Sequence, residues 1–183
     1  MNTIEYGQGA VNNTIGWGQG AKVGSSFSNL KSIDLDGVDD FVAISGSSGL
    51  SFTGDFSLSA WIKTDAIGSD QFIIDTSTNS STGIGYSFRV RTNGKIRFWS
   101  YHASQTGLNS TTVLSANTWY HIACVHNSTQ NKIYINGSLD ATLNWTTGHA
   151  ASNTINLRIG DIQVLGGEFN GNIDEVAMFN SEL

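Results

Sequence analysis

The chain has 183 residues, 39% hydrophobic and only 13% charged, with no proline and one cysteine. Charged residues make up about a quarter of an average soluble domain; here serine, threonine, asparagine and glycine supply the polarity instead, at 78 of 183 residues. Those residues are poor helix formers that favour turns and strand surfaces, which excludes a helical bundle, a coiled coil and a long alternating α/β array. The net charge is −6 with no lysine or arginine run, so nucleic acid is not an expected partner. No stretch approaches the ~18 apolar residues of a membrane span. Cys124 has no internal disulfide partner and sits in an apolar run, so it reads as a buried thiol.

Residues 1–24 differ from the rest. Ile4-Glu5-Tyr6-Gly7-Gln8-Gly9-Ala10 recurs as Ile15-Gly16-Trp17-Gly18-Gln19-Gly20-Ala21 after 11 residues. Two copies are too few to stack into a solenoid core. Either the segment is a flexible glycine-rich leader, or it is an arm that orders against a partner or a sister subunit. The matched Ile4, Tyr6, Ile15 and Trp17 favour the arm, since a linker gains nothing from large apolar anchors. The start MNTIEYGQGA lacks the basic head and apolar core of a signal peptide.

Residues 25–183 form one domain, and its pattern is strands. Ile33 to Asp36 and Asp39 to Ile44 flank an Asp-Gly turn, where Asp39-Asp40 can cap backbone N–H groups. In Asp55 to Lys63, Phe56, Leu58, Ala60 and Ile62 alternate with Ser57, Ser59, Trp61 and Lys63. Gln71 to Asp75 is a short apolar strand. Ile84 to Arg91 and Lys95 to Tyr101 flank Asn93-Gly94, a type I′ hairpin signal. Within that hairpin Tyr86, Phe88, Val90, Ile96 and Phe98 face one way, and Arg97 and Trp99 the other. Trp119 to His126 follows, then a second Asn-Gly hairpin at Asn136-Gly137 between Lys132–Ile135 and Leu139–Leu143. Ile155 to Ile159 and Ile173 to Phe179 complete the set. Roughly a dozen short strands with no convincing helix make an all-β, two-sheet antiparallel sandwich or jelly roll.

Five stretches carry a family likeness: Leu35 to Val42, Gly54 to Lys63, Asn117 to Ala123, Ile133 to Gly137 and Phe169 to Val176. In order and spacing they resemble the laminin G-like, concanavalin A-like domains of bacterial surface and phage proteins. The resemblance implies a jelly roll whose last strand lies near its first. Most of these motifs read as scaffold, with Trp61 and Trp119 assigned as large core or inter-sheet fillers.

Catalytic constellations are not expected. Glycosidases need carboxylates about 5 Å apart for retention, and Asp174 and Glu175 are adjacent, so they face opposite ways on a strand. Asp70 and Asp75, five apart, are likewise expected on opposite faces. Cys124 shares a face with His126 but not with His121, a weak thiol pairing. The chain therefore reads as a non-enzyme. Calcium, which takes carboxylate and carbonyl oxygens, has two candidate places. One is Asp34, Asp36, Asp39 and Asp40 with Asp174. The other, implied by resemblance, is the Gly160 to Gln163 loop, where Asp161 and Gln163 are joined by Asn79 from a facing loop, with Glu168 near. Sugar binding needs aromatic platforms beside neutral polar groups, and Trp99, Tyr101, His102 and Trp145 supply these.

The resemblance and the arm together imply a non-catalytic adhesion or decoration module of a phage virion, a head decoration or tail appendage assembled in host cytoplasm. It would bind glycan in a lectin-like way, form a homo-oligomer and meet other virion or surface proteins through residues 1–24. The rival expectation is the carbohydrate-binding module of an extracellular or cell-surface glycan-active enzyme.

Overall fold

The computed structural model describes residues 31–45, 47–52, 54–76, 85–101, 107–144, 157–162 and 166–183. The repeat with Ile4, Tyr6, Ile15 and Trp17 lies outside them. Among the described residues there are twelve strands: β1 (Ile33–Asp36), β2 (Val42–Ile44), β3 (Phe56–Thr64), β4 (Gln71–Asp75), β5 (Gly85–Val90), β6 (Lys95–Tyr101), β7 (Leu108–Val113), β8 (Tyr120–His126), β9 (Gln130–Ile135), β10 (Ser138–Asn144), β11 (Leu157–Ile159) and β12 (Asn170–Phe179). One 3-10 turn, Ser47–Leu50, accompanies them. No helix among the described residues is long and apolar enough to cross a membrane.

The strands form two six-stranded antiparallel sheets. The first runs β1-β12-β3-β8-β9-β10 and the second β2-β11-β4-β5-β6-β7, the order of a jelly-roll sandwich. The last strand does pair with the first, with Ile33 opposite Ile173 and Asp36 opposite Asn170.

The core lies between the sheets. Phe56, Leu58, Ala60 and Ile62 of β3 are fully buried, as are Ile122 and Cys124 of β8 and Ile133 of β9. The second sheet answers with Tyr86, Phe88, Val90, Ile96 and Phe98. Phe56 is the hinge of this packing: its ring lies 5.1 Å from Tyr86, 5.3 Å from Phe52, 6.1 Å from Phe98 and 5.0 Å from His126. Truncating such a ring to alanine costs about 3–5 kcal/mol.

Trp61 and Trp119 are not in this core. Trp61 faces outward on β3 and is half-buried, its ring 5.3 Å from His121. Trp119, also half-buried, lies under the Lys63 ammonium at 5.8 Å. Phenylalanines and Tyr86 supply the bulk assigned to the tryptophans.

The two Asn-Gly turns differ. Asn136 (φ 52) and Gly137 (φ 79) are both left-handed, and Ile135 pairs with Ser138, so this is the type I′ hairpin expected. At Asn93-Gly94 only Gly94 has positive φ, at 75. There the Arg91 carbonyl accepts from Gly94 N, and Arg91 N donates to the Lys95 carbonyl, both at 2.8 Å. That is a type I turn closed by a left-handed glycine, one residue longer than type I′.

β7 was not anticipated. It closes the second sheet and ties it to the first, because Asp140 of β10 accepts from Thr111 N at 2.6 Å, Thr112 N at 3.1 Å and Thr112 Oγ1 at 2.5 Å.

Candidate functional site

Tyr86, Phe88, Ile96 and Phe98 turn inward, so their neighbours on β5 and β6 must turn outward. Ser87 and Arg89 pair with Trp99 and Arg97 in the ladder, and all four lie on the outer face of the second sheet. On β4 a bulge falls between Phe72 and Ile74. Phe72 pairs with Arg89 on the outer face, Ile74 with Phe88 on the inner, and Asp75 with Ser87 on the outer. The extra residue reverses the alternation. Asp70 and Asp75 therefore share the outer face, contrary to the expectation from their odd spacing. Asp75 also pairs with Arg158 of β11.

The result is an interleaved row of rings and guanidiniums. The Arg89 guanidinium lies 4.7 Å from the Phe72 centroid and 4.9 Å from that of Trp99, and Arg97 lies 4.4 Å from Trp99. At the far side Arg158 lies 4.3 Å from the Phe41 ring. Asp70 bridges two arginines, accepting from Arg91 Nε at 3.0 Å and lying 3.3 Å from Arg89 Nε. Arg89 is buried, whereas Arg91, Arg97 and Trp99 are half-buried. The backbone at Gly107 passes directly over Arg97 and Trp99; a Cβ there would collide with both side chains.

Of the four expected glycan contacts, Trp99 lies in this row. Tyr101 ends β6, and its side chain, with His102 and Trp145, lies outside the described residues. Arg97 was expected beside Trp99; the convergence of Arg89, Arg91, Arg158 and Phe72 on the same face was not. Arginine at successive outward positions was the available signal on β5 and β6.

Asp161 is buried and engaged from both sides. Its Oδ1 accepts from Ile162 N at 2.5 Å, and its Oδ2 is ion-paired with Arg158. A guanidinium thus supplies the positive charge that a cation would bring, and this arrangement does not fit a Ca2+ ion at Asp161. Gln163 and Asn79 lie outside the described residues. The Glu168 carboxylate accepts from Gly167 N at 3.0 Å, and backbone hydrogen bonds hold it below the usual range. In the other acidic group, Asp36, Asp39 and Asp40 bring carboxylate oxygens within 4.8 Å and are exposed. Asp40 accepts from Asp36 N at 3.3 Å, the capping expected of the Asp39-Asp40 pair, and Asp36 caps Val38 N at 2.9 Å. Asp34 instead accepts from Asn172 Nδ2 at 3.0 Å.

Cys124 and His126 do share the inner face of β8. Cys124 is fully buried, and burial pushes its thiol well above the usual range, which disfavours the thiolate that nucleophilic chemistry needs.

These sheets and motifs match the family model described as concanavalin A-like lectin/glucanases superfamily, over residues 36–183. The chain belongs to that superfamily, in its laminin G group. A search of curated proteins finds no match. Among solved structures, one similar chain is a Bacteroides ovatus ATCC 8483 protein to which carbohydrate binding is ascribed: TM-score 0.63, 20% identity, covering 78% of this chain and 42% of that one. Domain 4 of a GH43 extracellular arabinanase from Geobacillus stearothermophilus, solved with arabinotriose, gives TM-score 0.61 and 17% identity, covering 74% of this chain and 65% of that one. The Ruminococcus gnavus IT-sialidase CBM40 bound to alpha2,3 sialyllactose gives TM-score 0.66 and 12% identity, covering 85% and 94%. The chain spans less than two thirds of the length of the first two. At these identities the likeness shows the fold.

Proposed function

We propose that this protein is a non-catalytic glycan-binding module and that its ligand lies on the outer face of the second sheet, against Trp99. The observation that carries this is the half-buried Trp99 indole, fixed between strand neighbours beside Arg97 and Arg89. A sugar packs against the exposed part of such an indole while guanidinium N–H groups meet its oxygens. Solved relatives of the same fold with arabinotriose and sialyllactose support the reading. The buried, protonated Cys124 and the Arg158-bound Asp161 support a binding role over a catalytic one.

Two settings suit such a module. The paired repeat of residues 1–24 supports an attachment arm for display on a virion or cell surface. The likeness to modules of an arabinanase and a sialidase supports an appendage of a glycan-active enzyme. Deleting residues 1–24 separates them: loss of particle or partner assembly with binding intact supports the arm.

The test of binding itself is a glycan array probed with the full chain and with Trp99→Ala. Signal on a defined set of glycans, lost in the variant while its thermal melt stays cooperative, is the expected result. Undiminished signal from the variant would move the site elsewhere.

A further inference from the structure

Resting on the glycan-binding reading, we infer that the arginine-bearing face of the second sheet takes an acidic oligosaccharide, one carrying sugar carboxylates, in preference to a neutral one. All four arginines of the chain, Arg89, Arg91, Arg97 and Arg158, belong to this one face, although β11 lies about 60 residues after β6 in sequence. Lys95 points the same way, at an alternate position to Arg97 and Trp99. The face thus gathers five of the chain's nine cations. Its strands and ion pairs bring three acids, Asp70, Asp75 and Asp161, and Glu168 in the bordering loop is held by that loop's own backbone. Even with Glu168 counted at the face, five cations meet four acids there, and the rest of the sequence holds four cations against eleven acids. A local positive balance on a protein of net charge −6 is a segregation of charge.

The choice of arginine matters. Its planar fork meets a carboxylate through two parallel hydrogen bonds, a geometry the lysine ammonium lacks. One carboxylate, that of Asp70, contacts two guanidiniums, those of Arg89 and Arg91. Among the described residues Arg91 reaches Asp70 through Nε, and its side chain is 29% exposed, so the end of its fork faces the surface. Arg97 lies against the Trp99 ring, which holds its guanidinium on the outer face. From β6 to β11 there are three interstrand steps, about 14 Å, a distance longer than one sugar ring. The face therefore suits an oligosaccharide. A nucleic acid that runs beyond this face meets the acidic remainder of the surface and is repelled there, whereas a short acidic oligosaccharide stays within the face.

The test is calorimetric titration of the full chain with four sugars: 3′-sialyllactose and lactose, and a galacturonate trimer and its uncharged galactose counterpart. At least one acid sugar is expected to bind ten-fold or more tightly than its neutral partner, and added salt is expected to weaken that binding. The acid that binds identifies whether the carboxylate comes from a sialic or a uronic acid. Arg91→Gln and Arg97→Gln are each expected to lower the acid sugar's affinity about ten-fold or more, the size of one charge-assisted hydrogen bond. Arg97→Lys should restore part of it. Arg91 is the more exposed of the two, so its variant reports binding even where Arg97→Gln disturbs folding. Equal affinity for acid and neutral sugars, unchanged in both variants, overturns the carboxylate preference and leaves glycan binding standing. Preferential binding of a single-stranded oligo(dT) overturns it in favour of nucleic acid. If none of the four sugars binds and the glycan array is blank, the glycan-binding reading itself falls.

Discussion

Arg97 holds its guanidinium 4.4 Å from the centroid of Trp99, its neighbour two residues on along the same face of β6. Such a cation–π contact stabilises by about 0.5–2 kcal/mol according to its solvation. Its larger effect here is positional: it limits the indole to few orientations, so the binding platform is set before a ligand arrives, and less entropy is lost on binding.

That relationship depends on Gly107. A Cβ at this position would collide with Arg97 Nε and with the Trp99 indole. Gly107→Ala is expected to displace both side chains, at a cost of about 1–3 kcal/mol in stability. Glycan affinity should fall more than stability does. Parallel calorimetry and chemical denaturation measure the two effects on one sample.

Two other glycines separate strain from collision. Gly171 has φ +133, and a Cβ there would run into the Lys63 carbonyl, with Asp65 N 3.0 Å away. Gly137 has φ +79 in open space. Gly171→Ala should cost more than about 3 kcal/mol because backbone must move, whereas Gly137→Ala should cost about 1 kcal/mol. Urea unfolding midpoints would show the contrast; similar midpoints would refute the register of β12 on β3.

Asp140 joins the sheets through three contacts to Thr111 and Thr112. Asp140→Ala leaves two backbone N–H groups of an edge strand without this acceptor. The expected loss is about 1–3 kcal/mol. Hydrogen exchange should quicken first at residues 108–113.

His126 gives the stability a pH dependence. Burial lowers its pKa below 6.5, partly offset by the Asn131 side chain, to which Nδ1 hydrogen-bonds at 2.8 Å, and by Asp55. The unfolded chain then binds a proton that the folded chain does not, so stability rises with pH. The contribution is complete above the unfolded value near 6.5 and is lost as pH falls toward the folded value. The unfolding free energy should decline between pH 7 and pH 5, and His126→Gln should flatten that decline. Glu182, held low mainly by Lys132, and Glu168 act only at lower pH, below about 4.5.

Most of the fold is legible in the residues. Alternation in Phe56 to Ile62, the tyrosine and phenylalanines of Tyr86 to Val90, and the turn at Asn136-Gly137 each specify a strand and its inward face. β7 escapes because its inward residues are Leu108 and Ser110, and a buried serine mimics a solvent-facing one. Its hydroxyl donates to the Thr112 carbonyl of its own strand at 2.7 Å and accepts from Ile96 N at 2.9 Å, a partner that exists only once β6 is beside it. The candidate site is legible in part. Arg97 and Trp99 stand on outward positions of a recognisable strand. Asp70, Asp75 and Phe72 do not, because the uninterrupted Phe72-Ile73-Ile74 run conceals the bulge that sets their face. Arg158 joins them only through the placement of β11 beside β4, a long-range pairing that local pattern does not encode.

The most direct test of the glycan-binding face is a backbone amide and indole NMR titration of the full chain with 3′-sialyllactose, repeated with the galacturonate trimer. The expected result is a set of shifts confined to Phe72, Ser87 to Arg91, Lys95 to Trp99 and Arg158, including the Trp99 indole N–H. Shifts centred instead on Trp61, Trp119 and His121 of the opposite sheet, or an unperturbed spectrum with both sugars, would contradict it.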